Sequence, residues 1–254
     1  MENSNNKMSL HEIFSLHEDS ASHEQIRDRL LSGGRVTGPN MIVMICSIAI
    51  ASVGLNMNAT AVIIGAMLIS PLMGSILAMA YGSVSADLPL TERHSIGFVF
   101  QVAVSIIVAT IYFWLSPVKE ATPEIIARTN PTVFDVIVAV FGGIAGIIGQ
   151  TRKDKANNIV PGVAIATALM PPLCACGYSI ANGNFHMLGG AAYLFLLNAY
   201  FIFTSAAVIL SLLKIPRVQE LTEKQWRRKK HAMIRNTIII VIPSILLAFR
   251  VFAD

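Results

Sequence analysis

One apolar segment, residues 56–84, carries a proline in its middle and constrains the chain more than any other feature. It reads NMNATAVIIGAMLISPLMGSILAMAYGSV and is long enough to span a bilayer. Pro71 removes the helical hydrogen bond to the Met67 carbonyl and clashes with that group. An unsatisfied backbone group costs several kcal/mol in hydrocarbon, so such a break persists only where buried protein, water or a bound ion satisfies it. The break therefore predicts a polar site within the membrane.

A second copy of the pattern begins 101 positions later, where GVAIATALMPPL repeats AVIIGAMLISPL. There Pro171 and Pro172 would free the carbonyls of Thr167 and Ala168. Interrupted helices in corresponding positions of two halves are typical of secondary transporters and mark their binding sites. The matching pairs are Asn56 with Asn157, Val62 with Val163, Ile64 with Ile165, Leu68 with Leu169, Pro71 with Pro172 and Leu72 with Leu173.

Composition indicates a membrane protein. Hydrophobic residues make up 54% of the 254 residues, charged residues make up 13%, and the mean hydropathy is +0.62. A soluble globule is rarely so apolar. The charges lie mainly in residues 1–40, in short loops and in residues 214–235, which leaves several long uncharged windows. We predict seven membrane helices, at 41–54, 59–86, 95–115, 133–150, 159–181, 186–213 and 236–252.

Lysine and arginine in the short loops predict the orientation of these helices. With a cytosolic N-terminus, most basic residues fall in inner loops, and the outer segments hold only Lys119, Arg128 and Arg250. Each half of the membrane domain then crosses three times, so the second half inserts upside down relative to the first. We predict an all-α polytopic protein of the bacterial cytoplasmic membrane with two inverted three-helix repeats and proline-broken second helices. Its parts are a cytosolic segment at 1–38, repeat one at 39–116, repeat two at 132–213, a basic linker at 214–235 and a seventh helix at 236–254.

The polar N-terminal segment contains helix signals and a histidine repeat. Capping boxes at Ser9 and Ser22 each predict the start of a short helix, and Gly33-Gly34 would end the helix that begins after Ser22. Three histidines recur every six residues, each followed by Glu, which raises the hypothesis of a metal or proton switch. Six residues advance about 240° around a helix, so the three do not share a face, and a solvated or partner-binding segment is the preferred interpretation. These histidines are His11, His17 and His23.

The two proline motifs resemble a known family. VIIGAMLISPLMGSILAMAYG and NIVPGVAIATALMPPLCACGYSIANGN, followed by an apolar helix with Asn198, are similar to the bacterial and archaeal integral membrane family catalogued as domain of unknown function 389. The resemblance covers roughly residues 40–213. It implies a multi-pass membrane protein of prokaryotes and carries no particular activity.

The candidate site combines asparagines, hydroxyls and interrupted backbone. Asparagines at the start of each broken helix would cap it, and helix N-termini carry free N–H groups with partial positive charge. Carbonyls released by the prolines are negative and would face a cation. The alternative is a pair of kinks satisfied by neighbouring helices, with the asparagines as ordinary caps. The predicted pathway residues are Asn56, Asn58, Met67, Ser70, Pro71, Asn157, Asn158, Thr167, Ala168, Pro171 and Pro172.

Ionisable residues are missing from the central parts of the first six predicted helices, although Asp135 lies close to the start of the fourth. Proton-coupled carriers commonly hold such groups within the membrane. The sequence therefore favours coordination of an ion or small neutral solute by backbone or hydroxyl groups. We predict a transporter or channel with no cofactor and no metal centre; a membrane scaffold or sensor without transport activity is the alternative. An enzyme is disfavoured because no metal-ligand spacing, GxSxG elbow or buried acid–base pair occurs.

Three further features have packing or membrane interpretations. Cys46, Cys174 and Cys176 are expected to pack as small hydrophobic residues. The Gly142-x-x-x-Gly146 spacing permits close helix contact, within one subunit or in a homo-oligomer. A basic tract is expected to bind anionic lipid, at about 1 kcal/mol per residue, or a regulatory partner, and no nucleic-acid motif accompanies it. The tract contains Arg227, Arg228, Lys229 and Lys230.

Overall fold

The computed structural model describes residues 19–153 and 159–218 together with residues 231 and 235, and within 159–168 it describes the backbone alone. These residues form helices and contain no β-strand; one isolated bridge pairs Ser20 with Arg152. The helices are α1 His23–Gly33, α2 Gly38–Asn56, α3 Thr60–Ile69, α4 Leu72–Val84, α5 Leu88–Leu115, α6 Pro123–Ala127, α7 Val133–Thr151, α8 Ile159–Ala181 and α9 Phe185–Leu212.

Several of these helices have the length and composition of membrane spans. Helices α2, α5, α7 and α9 each qualify alone, and α3 with α4 qualifies as a fifth span that is bent by 48°. Helix α8 is 23 residues long and also apolar. The chain is therefore an all-helical membrane protein. The predicted seventh helix lies outside the described residues.

The connections between helices collect at two ends of the bundle. We call one end the α1 face; it contains residues 19–37, 85–87, 152–153 and 213–218. Here the Val218 N–H donates to the Ser85 carbonyl over 2.8 Å, and His94 Nδ1 lies 3.1 Å from the Gly34 carbonyl oxygen. The opposite face contains residues 57–59, 116–132 and 182–184. There Thr122 Oγ1 donates to the Leu55 carbonyl over 2.6 Å.

Helix α8 lies at the centre of the bundle. It packs against α5, α7 and α9 and also contacts α2, α3 and α4. Its side chains from Leu169 to Ser179 are buried.

Glycines allow close contacts between helices at two positions. A Cβ on Gly177 of α8 would lie 2.4 Å from that of Ala109 in α5, and a Cβ on Gly143 of α7 would lie 2.9 Å from the Ile202 Cα in α9. Gly143, next to the predicted Gly142–Gly146 pair, thus packs two helices of one subunit.

The structure differs from the prediction in two connections between spans. The predicted charged loop before the third span is helical, because α5 already begins at Leu88. Asp87 caps it by accepting from the Leu90 N–H, and Pro89 occupies the first turn, where a missing N–H costs no hydrogen bond. The long loop on the opposite face contains the short helix α6, whose N-terminus Thr122 caps in the same way.

The cysteine prediction is confirmed for two of the three side chains. Cys174 and Cys176 are buried in α8, whereas Cys46 is exposed on the outside of α2. A small apolar side chain is compatible with both locations in a membrane bundle, because lipid is as apolar as the core.

Candidate functional site at the broken span

The first predicted break is present. Helix α3 ends at Ile69, Ser70 is extended with φ −73° and ψ 128°, and Pro71 is the N-cap of α4, which begins at Leu72. Proline disfavours the helical conformation in the residue before it, which accounts for the extended Ser70. The Ser70 N–H donates to the Met67 carbonyl over 3.2 Å. Pro71 has no N–H for the Met67 carbonyl, as its ring predicts, and the Ser70 N–H takes the place of the missing donor.

At the second predicted break the helix is continuous. Helix α8 runs from Ile159 to Ala181 with Pro171 and Pro172 inside it. Both prolines are buried, and so are the described side chains next to them, from Leu169 to Ser179. Tertiary packing thus keeps this segment helical where proline alone would favour an interruption. Thr167 and Ala168 belong to α8 by their backbone, while Asn157 and Asn158 lie outside the described residues.

A cavity of about 210 Å³ adjoins the break at Ser70. The Ser70 hydroxyl oxygen is buried and has no hydrogen-bond partner among the described residues. Gln150, one residue from the C-terminus of α7, also lines the cavity, so the break lies towards the α1 face. The lining residues are Arg29, Leu30, Gly33, Ser70, Pro71, Met73, Gly74, Leu77 and Gln150.

Helix α1 covers this cavity. Ser22 and Gln25 form the predicted capping box at its start, and Gly34 ends it, as the glycine pair predicted. Ile26 and Leu30 are buried beneath it, so α1 is amphipathic and packs on α4 and α7. The contact with α4 is tight, because a Cβ on Gly74 would lie 1.9 Å from the Gly33 carbonyl oxygen.

The guanidinium of Arg29 fixes α1 to the end of α7. It donates to the carbonyl oxygens of Gln150 and Lys153 over 3.4 and 3.3 Å and also to that of Arg152. These carbonyls end a helix, where a cation is favoured by the helix dipole. Next to them the Ala21 N–H donates to the Thr151 carbonyl over 2.7 Å. The N-terminal segment therefore bridges α4 of the first half and α7 of the second half.

The predicted asparagines lie at the opposite face, away from Ser70. Asn56 is buried, and its Nδ2 donates to Ser116 Oγ over 2.5 Å. Asn58 adopts φ 54°, a left-handed conformation that asparagine tolerates, and its Oδ1 accepts from the Glu124 N–H over 3.3 Å. Both side chains thus organise loops, and the structure does not bring them together with the break.

Two buried polar side chains beside the break were not among the predicted site residues. Ser75 Oγ in α4 donates to Gln101 Oε1 in α5 over 2.8 Å, and the Gln101 Nε2 atom has no partner among the described residues. Both residues are fully buried. The available signal was Gln101 itself, because a polar amide inside an apolar span needs a partner. Ser75 and Gln101 thus give the α4–α5 contact a polar interior.

The fold and this site define a polytopic helical membrane protein, with one interrupted span among residues 19–153 and 159–218. Its sequence is 29% identical over 213 residues to an uncharacterised protein of Methanocaldococcus jannaschii, which covers 84% of this chain. The chain spans 64% of the length of that relative. A family model described as domain of unknown function (DUF389) matches residues 67–204, and the chain belongs to this family. The prediction from the two proline motifs is confirmed. No solved structure matches this chain.

Proposed function

We propose that the protein is a transporter or channel of the bacterial cytoplasmic membrane, with a pathway that passes the break between α3 and α4 and runs along α8. The observation that carries this proposal is the cavity at Ser70, where a bent span, a buried hydroxyl without a partner and a half-buried arginine meet. Lipid-exposed irregular backbone is not stable at membrane depth, whereas irregular backbone beside a water-filled cavity is. The protein is proposed to act without a cofactor and without enzymatic activity.

The helix contacts support an inverted repeat. Helix α5, the third helix of the first half, packs on α8, the second helix of the other half. Reciprocally, α9 packs on α4. In each case the third helix of one half packs on the second helix of the other half. A two-fold axis in the membrane plane would produce such a pair of contacts if residues 39–116 and 132–213 were inverted copies. The basic residues of the α1 face support a cytosolic N-terminus.

The groups around the break favour an anion or a neutral polar solute over a bare cation. The Met67 carbonyl already accepts a hydrogen bond, so it is a poor cation ligand. The remaining groups are the Ser70 hydroxyl and the first turn of α4, which has no side-chain cap. The Arg29 guanidinium adds positive charge at the cavity, although it also donates to three carbonyl oxygens at the end of α7. N–H and guanidinium groups donate hydrogen bonds and attract negative charge. The substrate class is therefore proposed as a small anion or a hydroxyl-bearing solute.

A membrane scaffold or sensor without transport activity is the second candidate. It is favoured by the apolar packing of α3 against α8, in which Ile63, Met67, Leu169 and Met170 are all buried in one core. It is also favoured by α1, which bridges both halves. Under this proposal the break is a packing feature, and partners or anionic lipid bind the cytosolic segments, including Arg227 to Lys230 outside the described residues. Homo-oligomer formation is compatible with either function.

Flux through proteoliposomes distinguishes the two candidates. We would measure potassium and chloride conductance in planar bilayers and glycerol entry by stopped-flow light scattering. The transport proposal predicts that the protein raises the flux of at least one probe, and that Pro71→Ala and Ser70→Ala change that flux several-fold. Pro89→Ala is the matched control, because Pro89 lies in the first turn of α5 and does not line the cavity.

The scaffold candidate predicts a different result. Vesicles containing the protein would then be no more permeable to these probes than protein-free vesicles. Wild-type flux in a folded Pro71→Ala variant would also contradict a pathway at the break. Size-exclusion profiles in detergent show whether each variant is folded.

A further inference from the structure

A second concave surface lies on the α1 face, separate from the broken span. It is a groove of about 400 Å³ between the α1–α2 linker and the start of α5. One wall is formed by Arg35, Val36 and Thr37 of the linker, and the other by Arg93, Ile96 and Phe100 of α5. The groove therefore combines charged and apolar walls at the point where α5 enters the membrane.

The two arginines are available for a ligand. Both are exposed, and the ion pairs among residues 19–153 and 159–218 involve neither of them. Both arginines line the groove together with His94, whose Nδ1 lies 3.1 Å from the Gly34 carbonyl oxygen, and both guanidinium groups act electrostatically on this histidine. No carboxylate among the described residues lines the groove with these two guanidinium groups, so they favour an anion that accepts hydrogen bonds from both. Phosphate fits this role, because its oxygens match the planar N–H groups of arginine.

Backbone groups at the start of α2 add to the positive electrostatic potential of the groove. Thr37 is the N-cap of α2 and makes no side-chain cap bond, and Pro39 follows in the first turn. Because Thr37 lines the groove, the N-terminus of this 19-residue helix lies at its edge and has no side-chain cap. The partial positive charge of this terminus supports the arginines but is not needed to define the site.

The apolar wall identifies the kind of phosphate compound. Ile96 is 65% exposed and Phe100 is 52% exposed, and both belong to a helix that qualifies as a membrane span. Val36 packs within 2.8 Å of the position a Cβ on Gly97 would occupy, so the linker lies directly on α5. A free phosphate ion would make no use of this surface, whereas an acyl chain would cover it.

We propose that this groove binds an anionic phospholipid of the cytosolic leaflet, with the phosphate between Arg35 and Arg93 and an acyl chain along Ile96 and Phe100. Basic pockets beside membrane helices on the cytosolic side are suited to such headgroups. The lipid would hold the α1–α2 linker against α5. This inference does not depend on transport activity, and it concerns a site distinct from the predicted basic tract.

Native mass spectrometry of the purified protein tests the proposal. All compared proteins carry glutamine at positions 227–230, so that the basic tract does not contribute. The probes are dioleoyl phosphatidylglycerol and dioleoyl phosphatidylcholine, which share acyl chains and differ in charge. We expect Arg35→Gln with Arg93→Gln to weaken phosphatidylglycerol binding about 30-fold, or roughly fivefold for each arginine, and to leave phosphatidylcholine binding unchanged.

A double variant that removes two other basic residues of the same face is the control. Arg27→Gln with Lys214→Gln changes the net charge equally, both residues are exposed, and neither lines the groove. This control should retain the preference for phosphatidylglycerol. The proposal is overturned if both double variants behave alike. It is also overturned if glycerophosphate or inorganic phosphate competes as well as the lipid does, because the apolar wall would then play no part.

Discussion

The two proline-bearing segments share a sequence pattern but differ in structure. The first is interrupted at Ser70 and bent by 48°, with a cavity beside it. The second continues as one helix through Pro171 and Pro172. The same local signal therefore produces a break at one site and none at the other, and the surroundings determine which outcome occurs.

Burial accounts for the difference. The described side chains of α8 on both sides of its prolines are buried, so an extended residue there would expose polar backbone to the core. At the first break, the Ser70 N–H has the Met67 carbonyl to bond, and Gly74 leaves room for α1. A proline interrupts a membrane helix where new partners and space exist. At the first break the new partner is local, whereas α1, which packs against Gly74, comes from a distant part of the sequence.

The largest expected effect comes from filling the space at Gly74. We expect Gly74→Ala to destabilise the protein by about 2–3 kcal/mol, because the new methyl group would overlap the Gly33 backbone and displace α1. Gly65→Ala is the matched control; it has no atom within 4 Å and should be neutral or stabilising by up to about 1 kcal/mol. Thermal unfolding in detergent measures both. Equal stability of the two variants would mean that α1 does not pack on α4.

The next test removes the link between α1 and α7. Arg29→Gln should cost about 2 kcal/mol, because three carbonyl oxygens at the end of α7 lose a charged donor. The same variant should make residues 19–33 easier to cleave by protease. Arg27→Gln, two residues away and exposed, should change neither measurement. Protease resistance equal to that of the wild type would show that other contacts hold α1.

A third test compares the prolines directly. Pro172→Ala restores an N–H inside a continuous helix, and we expect it to raise stability by about 1 kcal/mol. Pro71→Ala should give no such gain, since Ser70 already satisfies the nearby carbonyl, but it should change flux. Thermal unfolding and proteoliposome flux are measured on both variants. A loss of flux in Pro172→Ala with normal folding would indicate that α8 also opens during function.

The smallest effect is expected at the opposite face. Asn58→Gly removes the bond to the Glu124 N–H but relieves a left-handed backbone conformation, so the two effects nearly cancel. We expect a stability change below about 1 kcal/mol and unchanged flux. A large loss of flux would place Asn58 in the pathway, as the sequence pattern first predicted.

The sequence predicted the class of fold and the first break well, because both follow from local chemistry. Length and hydropathy gave six of the helices to within a few residues, apart from the early start of α5. Ser22, Gln25 and Gly34 bounded α1 as their capping signals predicted. Pro71 predicted the interruption, which depends only on its ring and on the residue before it.

The surroundings of the break could not be predicted from these local signals. The polar N-terminal segment showed no sign that Arg29 would cap a helix more than a hundred residues later in the chain. Pairing of Ala21 with Thr151 likewise depends on the tertiary fold. Pro171 and Pro172 were expected to break α8 because proline chemistry is local, whereas the packing that overrides it is not.

The central claim is that water and small solutes reach Ser70 from the α1 face. The direct measurement is the labelling rate of Ser70→Cys in a background where Cys46, Cys174 and Cys176 are replaced by alanine, using inside-out vesicles. Ser105→Cys, fully buried in α5, is the control. We predict that Ser70→Cys reacts at least about tenfold faster, and faster with the anionic sulfonatoethyl methanethiosulfonate than with its cationic trimethylammonium analogue. Protection of Ser70→Cys equal to that of Ser105→Cys would contradict the account.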